Sequence, residues 1–311
     1  MDMRRIGQLE VSVVGLGCNN FGMRIGEEDT RLVVDAALDA GINYFDTADV
    51  YGQTRSEEFL GTALRGRREQ AVVATKFGSM GSADGTLSGG HPDWVRRAVD
   101  DSLGRLGIEV IDHYQYHRLD PDVPMEETMG ALEELVAAGK VREIGCSNFD
   151  VELLDRAADV SRERSWQPFA SVQNRYSALH REPETSGVIE ACARHGVALV
   201  PYFPLESGLL TGKVGSDGSV PEGSRLDSMP DDRRARFLDD QRLTAVGELT
   251  RFAADRDRSL LELAFGYLLG EPTVASVIAG ATSADQVRSN VAAAGWTMDA
   301  DDRAEVARLA G

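Results

Sequence analysis

Four side chains carry the chemistry open to this sequence: a carboxylate at Asp46, a phenol at Tyr51, an ammonium at Lys76 and an imidazole at His117. The first two fall in Tyr44-Phe45-Asp46-Thr47-Ala48-Asp49-Val50-Tyr51-Gly52, where an apolar run ends abruptly in acids and a phenol. A phenol ordinarily titrates at about 10 and is a weak acid at neutral pH. A nearby Lys76 ammonium is expected to stabilise the phenolate and lower that pKa, while Asp46 holds and orients the lysine. Tyr51 then acts as a general acid toward a carbonyl oxygen, or as a base toward an alcohol. His117 suits a neutral donor that orients the same oxygen. None of these groups moves electrons, so the site must borrow a hydride source.

Such a set works only if separate elements bring it to one rim. From Glu27 the chain repeats one grammar: an amphipathic helix, a glycine, then an apolar strand. Leu32, Val33, Ala36 and Ala37 lead to Ala40-Gly41 and the strand Ile42 to Phe45. The junction recurs at Ala138-Gly139 before Val141 and at His195-Gly196 before Val197. A left-handed residue closing each helix accounts for the glycines. Strands are expected near Val14, Phe45, Val73, Ile111, Ile144, Val172, Leu199 and Val277, so the fold class is α/β, a (β/α)8 TIM barrel, with a short N-terminal β-hairpin at Arg4 to Ser12 plugging one end. Val13 to Cys18 contains glycines but no GxGxxG opening a helix, which argues against a doubly wound dinucleotide fold. No Pro- or Ser-rich linker divides residues 1–311, so the expectation is a single barrel domain.

Six successive strands then present a polar or aromatic group at their C-terminal ends: Asp46 with Tyr51, Lys76, His117, Ser147-Asn148, Gln173-Asn174 and Tyr202. Taken singly, each has a plainer explanation. A lysine after a strand is often solvated, a histidine can satisfy itself, Asn148 or Asp150 can cap the helix from Val151, and Tyr202 can pack. Taken together, those explanations require many coincidences on one rim. The active face of this fold lies there.

Composition narrows the partners. The chain has 311 residues, 42% of them hydrophobic, and a formal charge of −18. The acids are scattered over helical segments, so they read as a solvated surface and make nucleic acid or an anionic membrane poor partners. No apolar run approaches the ~20 residues of a membrane span and no h-region follows Met1, so a cytoplasmic location is expected. Cys18, Cys146 and Cys192 lack CxxC spacing and read as small buried residues. The histidines form no HxH pair, and no metal site is expected.

The sequence resembles the aldo-keto reductase family over essentially its whole length. The motifs that carry the resemblance are Gly15-Leu16-Gly17, Phe45 to Gly52, Ala74-Thr75-Lys76, Tyr116-His117-Arg118, Gly145 to Phe149, Val172-Gln173-Asn174 and Tyr202 to Lys213. The resemblance implies a catalytic tetrad of Asp46, Tyr51, Lys76 and His117. It implies that Ser147, Asn148 and Gln173 bind a nicotinamide carboxamide and that Tyr202 stacks on the ring. Phe203, Pro204, Leu205, Gly208, Leu209 and Lys213 would follow the pyrophosphate, and Gly280, Thr282, Gln286 and Asn290 the adenosine end. Asn20 and Phe21, with Tyr51 and His117, would form the substrate site.

Two departures stand out: Phe203 replaces a serine common after the stacking tyrosine, and the last-strand segment has no Arg or Lys before Arg288. NADPH is the expected cofactor, with NADH as the alternative. Asp285 and the lack of a bidentate arginine count for NADH. The expected reaction is reduction of an aldehyde or ketone. A cofactor-binding regulatory subunit similar to potassium-channel β-subunits is the alternative, and a metal-dependent hydrolase a remote third. The first-strand loop with Asn19, Asn20 and Phe21, and the two long polar loops at 78–91 and 211–236, the latter from Ser216 on, are expected to wall the substrate. Polar residues such as Asn20 and Asp84 hint at a hydroxylated carbonyl substrate. The outer helices fit a monomer or a symmetric assembly equally well.

Overall fold

The computed structural model describes residues 1–83, 85–215 and 217–311. Asp84 and Ser216, both in the expected substrate loops, lie outside the described residues. Ten strands occur among those described: β1 (Met3–Ile6), β2 (Leu9–Ser12), β3 (Val14–Gly17), β4 (Tyr44–Asp46), β5 (Val72–Phe77), β6 (Ile111–Tyr116), β7 (Val141–Ser147), β8 (Ser171–Gln173), β9 (Ala198–Leu199) and β10 (Val277–Gly280). β3 to β10 form one parallel sheet in the order β10-β3-β4-β5-β6-β7-β8-β9. Its edges meet through a parallel bridge between Leu199 and Val274, with Leu199 N donating to Thr273 O at 2.8 Å and Ala275 N to Leu199 O at 2.9 Å. All eight expected strand positions fall in this curled sheet, because short apolar runs bounded by glycine and turn residues suit strands covered on both faces.

The helices between the strands form the outer layer. In the helix Glu27–Asp39 the buried stripe is Thr30, Val33, Val34, Ala36 and Ala37, whereas Leu32, expected on the apolar face, is 47% exposed. Gly41, Gly139 and Gly196 all adopt positive φ after their helices, at +83°, +72° and +67°. That left-handed residue turns the chain into the next strand at no steric cost.

β1 and β2 pair antiparallel across Gly7 and close the barrel floor. Ile6, Leu9 and Val11 pack with Tyr44, Ala74, Ala170, Val200 and Ala275 in a small core separate from the larger one between sheet and helices. The Arg4 guanidinium fixes the hairpin by donating to the carbonyls of Leu269, Val274 and Glu271. With the floor sealed, the opposite rim is left open for a site.

Candidate active site

Asp46 is the last residue of β4, Lys76 lies in β5, His117 follows β6, Ser147 ends β7 and Gln173 ends β8. Parallel register places Asp46 beside Ala74, Lys76 beside Gln115 and Ser147 beside Gln173. Strand pleating then turns alternate side chains inward, so the rim residues converge.

At the centre, Lys76 is fully buried and donates to Asp46 Oδ2 at 2.6 Å, to the Thr47 carbonyl at 2.8 Å and to the Tyr51 hydroxyl at 3.4 Å. The other Asp46 oxygen accepts from Gln115 Nε2 at 3.0 Å and Gln173 Nε2 at 2.8 Å. Gln115 had not been singled out from the sequence. An amide two positions before His117 in the strand pattern, and therefore on its face, was the available signal. The His117 ring meets Tyr51 edge to face, with centroids 6.0 Å apart.

Burial alone would push the Lys76 ammonium down, but Asp46 and Tyr51 outweigh it and hold its pKa above the ordinary value. Tyr51 differs from expectation: burial raises its pKa, and Lys76 opposes that only in part. The phenol therefore remains a proton donor in the resting site. Burial, then the Lys76 and Arg118 charges, push His117 down to about 3, so its imidazole is neutral.

The Tyr51 loop is pinned from below. Gly52, Gln53 and Thr54 follow with positive φ, and a side chain on Gly52 would meet the Phe21 carbonyl at 2.5 Å. Thr47 and Ser56 hydroxyls pair at 2.7 Å, and Ser56 Oγ donates to Cys18 O at 2.9 Å. Beneath lies Asp49, buried, with neither carboxylate oxygen partnered among the described residues. Burial and then Glu57 raise its pKa to about 7.

A cavity of about 830 Å³ opens from this centre. Asn20, Asp46, Tyr51, His117, Ser147, Asn148, Gln173, Tyr202, Phe203, Pro204, Leu205, Gly208, Lys213, Gly280, Thr282, Gln286 and Asn290 all line it. Three candidates do not: Lys76, fully buried, reaches the cavity only through Tyr51 and Asp46, and the other two face the core. Phe21 has no exposure because it packs in the core behind the Tyr51 loop, and Leu209 likewise points into the core beneath its own segment. Among the described residues of the two long loops, only the second supplies lining residues, at 211, 213, 214, 221–226 and 233. The described part of residues 78–91 folds on itself through a Gly81–Ser88 bridge, and Gly90 is tied to Thr128 and Asp120.

Sequence reasoning also missed the charge of this cavity. Arg24, Arg118, Lys213, Arg225 and Arg233 line it, and none has an ion-pair partner among the described residues, in a chain of formal charge −18. Of its three acids, Asp46 and Asp285 are paired, with Lys76 and Arg288, and Glu222 alone is unpaired among the described residues, so the surplus stays cationic. Arg225 lies 5.5 Å over the Phe203 ring, and Arg24 Nη2 donates to Gly223 O at 2.6 Å, drawing residues 221–226 toward the first-strand loop. A concave, net cationic channel suits a polyanion.

The lining fits a dinucleotide. Gln173 Nε2 is committed to Asp46 and Gln115, which leaves its carbonyl to accept from a carboxamide. Ser147 Oγ donates to Gln173 O at 2.7 Å, and Tyr202 donates to Asn148 Oδ1 at 2.8 Å. At the far end Ser283 caps the helix Ala284–Ala293, and the Thr282 N–H and hydroxyl both donate to Gln286 Oε1. A helix N-terminus of this kind accepts phosphate.

The barrel and this rim define an oxidoreductase that works with a nicotinamide. The comparisons agree: the Aldo/keto reductase family model matches residues 13–310, and the chain belongs to that family. It is 35% identical over 277 residues to the aldo-keto reductase yakc of Schizosaccharomyces pombe, whose name specifies NADP(+), covering 86% of this chain and 79% of that protein. It is 32% identical over 296 residues to the L-glyceraldehyde 3-phosphate reductase of Escherichia coli, covering 92% and 84%. The solved aldo-keto reductase AKR11C1 from Bacillus halodurans, in its holo form, superposes with a TM-score of 0.77 at 34% identity, covering 100% of this chain and 97% of that one.

Proposed function

We propose that this chain, folded as one barrel domain in the cytoplasm, reduces an aldehyde or ketone to the alcohol with NADPH, and that Tyr51 is the general acid. The observation that carries the reading is the buried chain Asp46–Lys76–Tyr51 opening, beside neutral His117, into a net cationic channel of about 830 Å³. A bound nicotinamide supplies the hydride.

The protein's own groups do the rest. His117 Nδ1 is buried without a partner among the described residues, so the nitrogen left for the cavity is Nε2. A neutral imidazole with its proton there donates to the substrate oxygen and orients it beside Tyr51. Tyr51, held protonated by burial, transfers its proton to that oxygen as negative charge develops. The Lys76 ammonium at 3.4 Å stabilises the phenolate that remains, and Asp46 keeps Lys76 charged and fixed. Ser147, Asn148, Gln173 and Tyr202 orient the nicotinamide, while Lys213 and Arg225 take its phosphates.

Support for NADPH is the surplus of unpaired cations and the name of the yeast relative. Arg118 follows His117 directly and stays unpaired among the described residues, so an aldehyde bearing a carboxylate or phosphate is the favoured substrate, in keeping with the name of the Escherichia coli relative. The test is steady-state oxidation of NADPH and NADH, followed by absorbance, with glyceraldehyde, glyceraldehyde 3-phosphate, benzaldehyde and 4-carboxybenzaldehyde. Turnover with NADPH, fastest on the anionic member of each pair, is expected. Binding of NADPH without consumption on any aldehyde would return the site to a regulatory role.

A further inference from the structure

The cavity wall between Phe203 and Gly208 has an unusual backbone. Phe203, Glu206 and Ser207 adopt φ of 54°, 45° and 60°, a region that side chains rarely occupy, and Gly208 continues at 105°. Such a run persists only where the surroundings over-determine it. Local hydrogen bonds, Glu206 N to Phe203 O at 3.1 Å and Gly208 N to Leu205 O at 2.8 Å, shape the turns but do not tie them to the barrel.

Glu206 supplies the tie. Its side chain points away from the cavity, has no exposure, and accepts four bonds: Arg175 Nη2 at 2.5 Å and Nε at 3.3 Å, Ser177 Oγ at 3.0 Å, and Arg242 Nη1 at 3.0 Å. The two arginines come from opposite sides. Arg175 extends β8, and its backbone bridges Tyr202. Arg242 lies in the helix Asp240–Ala254, which ends the long loop that carries Arg225 over the cavity. One carboxylate therefore joins the strand end, the phosphate-facing turn and the far end of the overlying loop. A buried carboxylate saturated by two cations and a hydroxyl is rigid, and removing its charge leaves the guanidinium groups repelling each other.

We infer that Glu206 is a positioning residue, which through Arg175 and Arg242 holds residues 203–208 in shape for the cofactor and so sets cofactor affinity rather than the rate of proton transfer. The inference rests on the nicotinamide reading above. It separates binding from chemistry, because Glu206 touches neither the cavity nor Tyr51, Lys76 or His117.

The test titrates NADPH into the wild type, Glu206→Gln, Arg242→Met and the double variant, followed by quenching of protein fluorescence. KM for the aldehyde and kcat at saturating NADPH are measured alongside, and circular dichroism confirms folding. Glu206→Gln should weaken NADPH binding by about tenfold or more, with kcat and aldehyde KM within about threefold. Arg242→Met, which leaves Arg175 and Ser177 on the carboxylate, should show the same split at smaller size, and the double variant should lose less than the product of the two. Unchanged NADPH affinity in a folded Glu206→Gln, or a fall in kcat without one in affinity, overturns the inference. Should Glu206→Gln fail to fold, unchanged affinity in Arg242→Met overturns it. A wild type that binds neither NADPH nor NADH sinks the underlying reading and the inference with it.

Discussion

The barrel interior and its rim each hold a histidine, one within β6 and one just past its end in the same alternating register. His113, inside, has its Nδ1 2.9 Å from the Tyr44 hydroxyl and its Nε2 2.9 Å from Ser171 Oγ. Gly145 makes room for it, since a Cβ there would lie 2.5 Å from the ring. His117, at the rim, leaves Nδ1 unpartnered among the described residues and faces the cavity. Burial and Lys76 lower both to about 3. Identical protonation behaviour thus accompanies opposite roles. What separates them is hydrogen-bonding capacity left unspent beside an open cavity, which makes one imidazole structural and the other available for chemistry.

That contrast predicts that rim substitutions change turnover and interior ones change stability. The largest effect is expected for Tyr51→Phe, which removes the proton donor and should lower kcat about 10²–10⁴-fold. NADPH affinity, read by fluorescence, should stay within severalfold, and comparable turnover by the variant would end the assignment of the acid. His117→Gln should lower kcat about 10²-fold with an unchanged melting curve. His113→Ala should instead destabilise the fold by about 2–5 kcal/mol in urea unfolding, because it strands two buried hydroxyls and opens a cavity. If His117→Gln proves the more destabilising, the contrast fails.

Asp49 sharpens the comparison through pH. Its carboxyl is held protonated up to about 7 in the fold but ionises at its ordinary value in the unfolded chain. The unfolded state therefore holds fewer protons between about pH 4 and 7, so this residue's contribution to stability falls as pH rises through that window, by roughly 1.4 kcal/mol per unit. Asn is neutral throughout. Asp49→Asn should stabilise the protein by about 1–4 kcal/mol at pH 8 and hardly at all near pH 4, as read from unfolding midpoints. A stabilisation of equal size at both pH values would show that packing, not charge, is responsible. The smallest effect is expected at Arg118→Gln, which should cost about tenfold in kcat/KM on 4-carboxybenzaldehyde and little on benzaldehyde.

Much of this was legible in the residues because it is written locally. Strand positions, the glycine junctions at Gly41, Gly139 and Gly196, the floor hairpin and the rim positions of Asp46, Lys76 and His117 depend on short-range periodicity and turn chemistry. Other features depend on pairs far apart in the chain. Gln115 and Gln173 share an Asp46 oxygen, Glu206 gathers Arg175 and Arg242, and Phe21 and Leu209 turn inward rather than to the cavity. The direction of the Tyr51 shift belongs with these, since desolvation there exceeds the attraction of Lys76. The sequence by itself determined which groups reach the rim, because a strand's period and end are set by its own few residues. Only the tertiary structure decided which of them are satisfied, charged or exposed, because desolvation and hydrogen bonding depend on what the rest of the chain packs around each group.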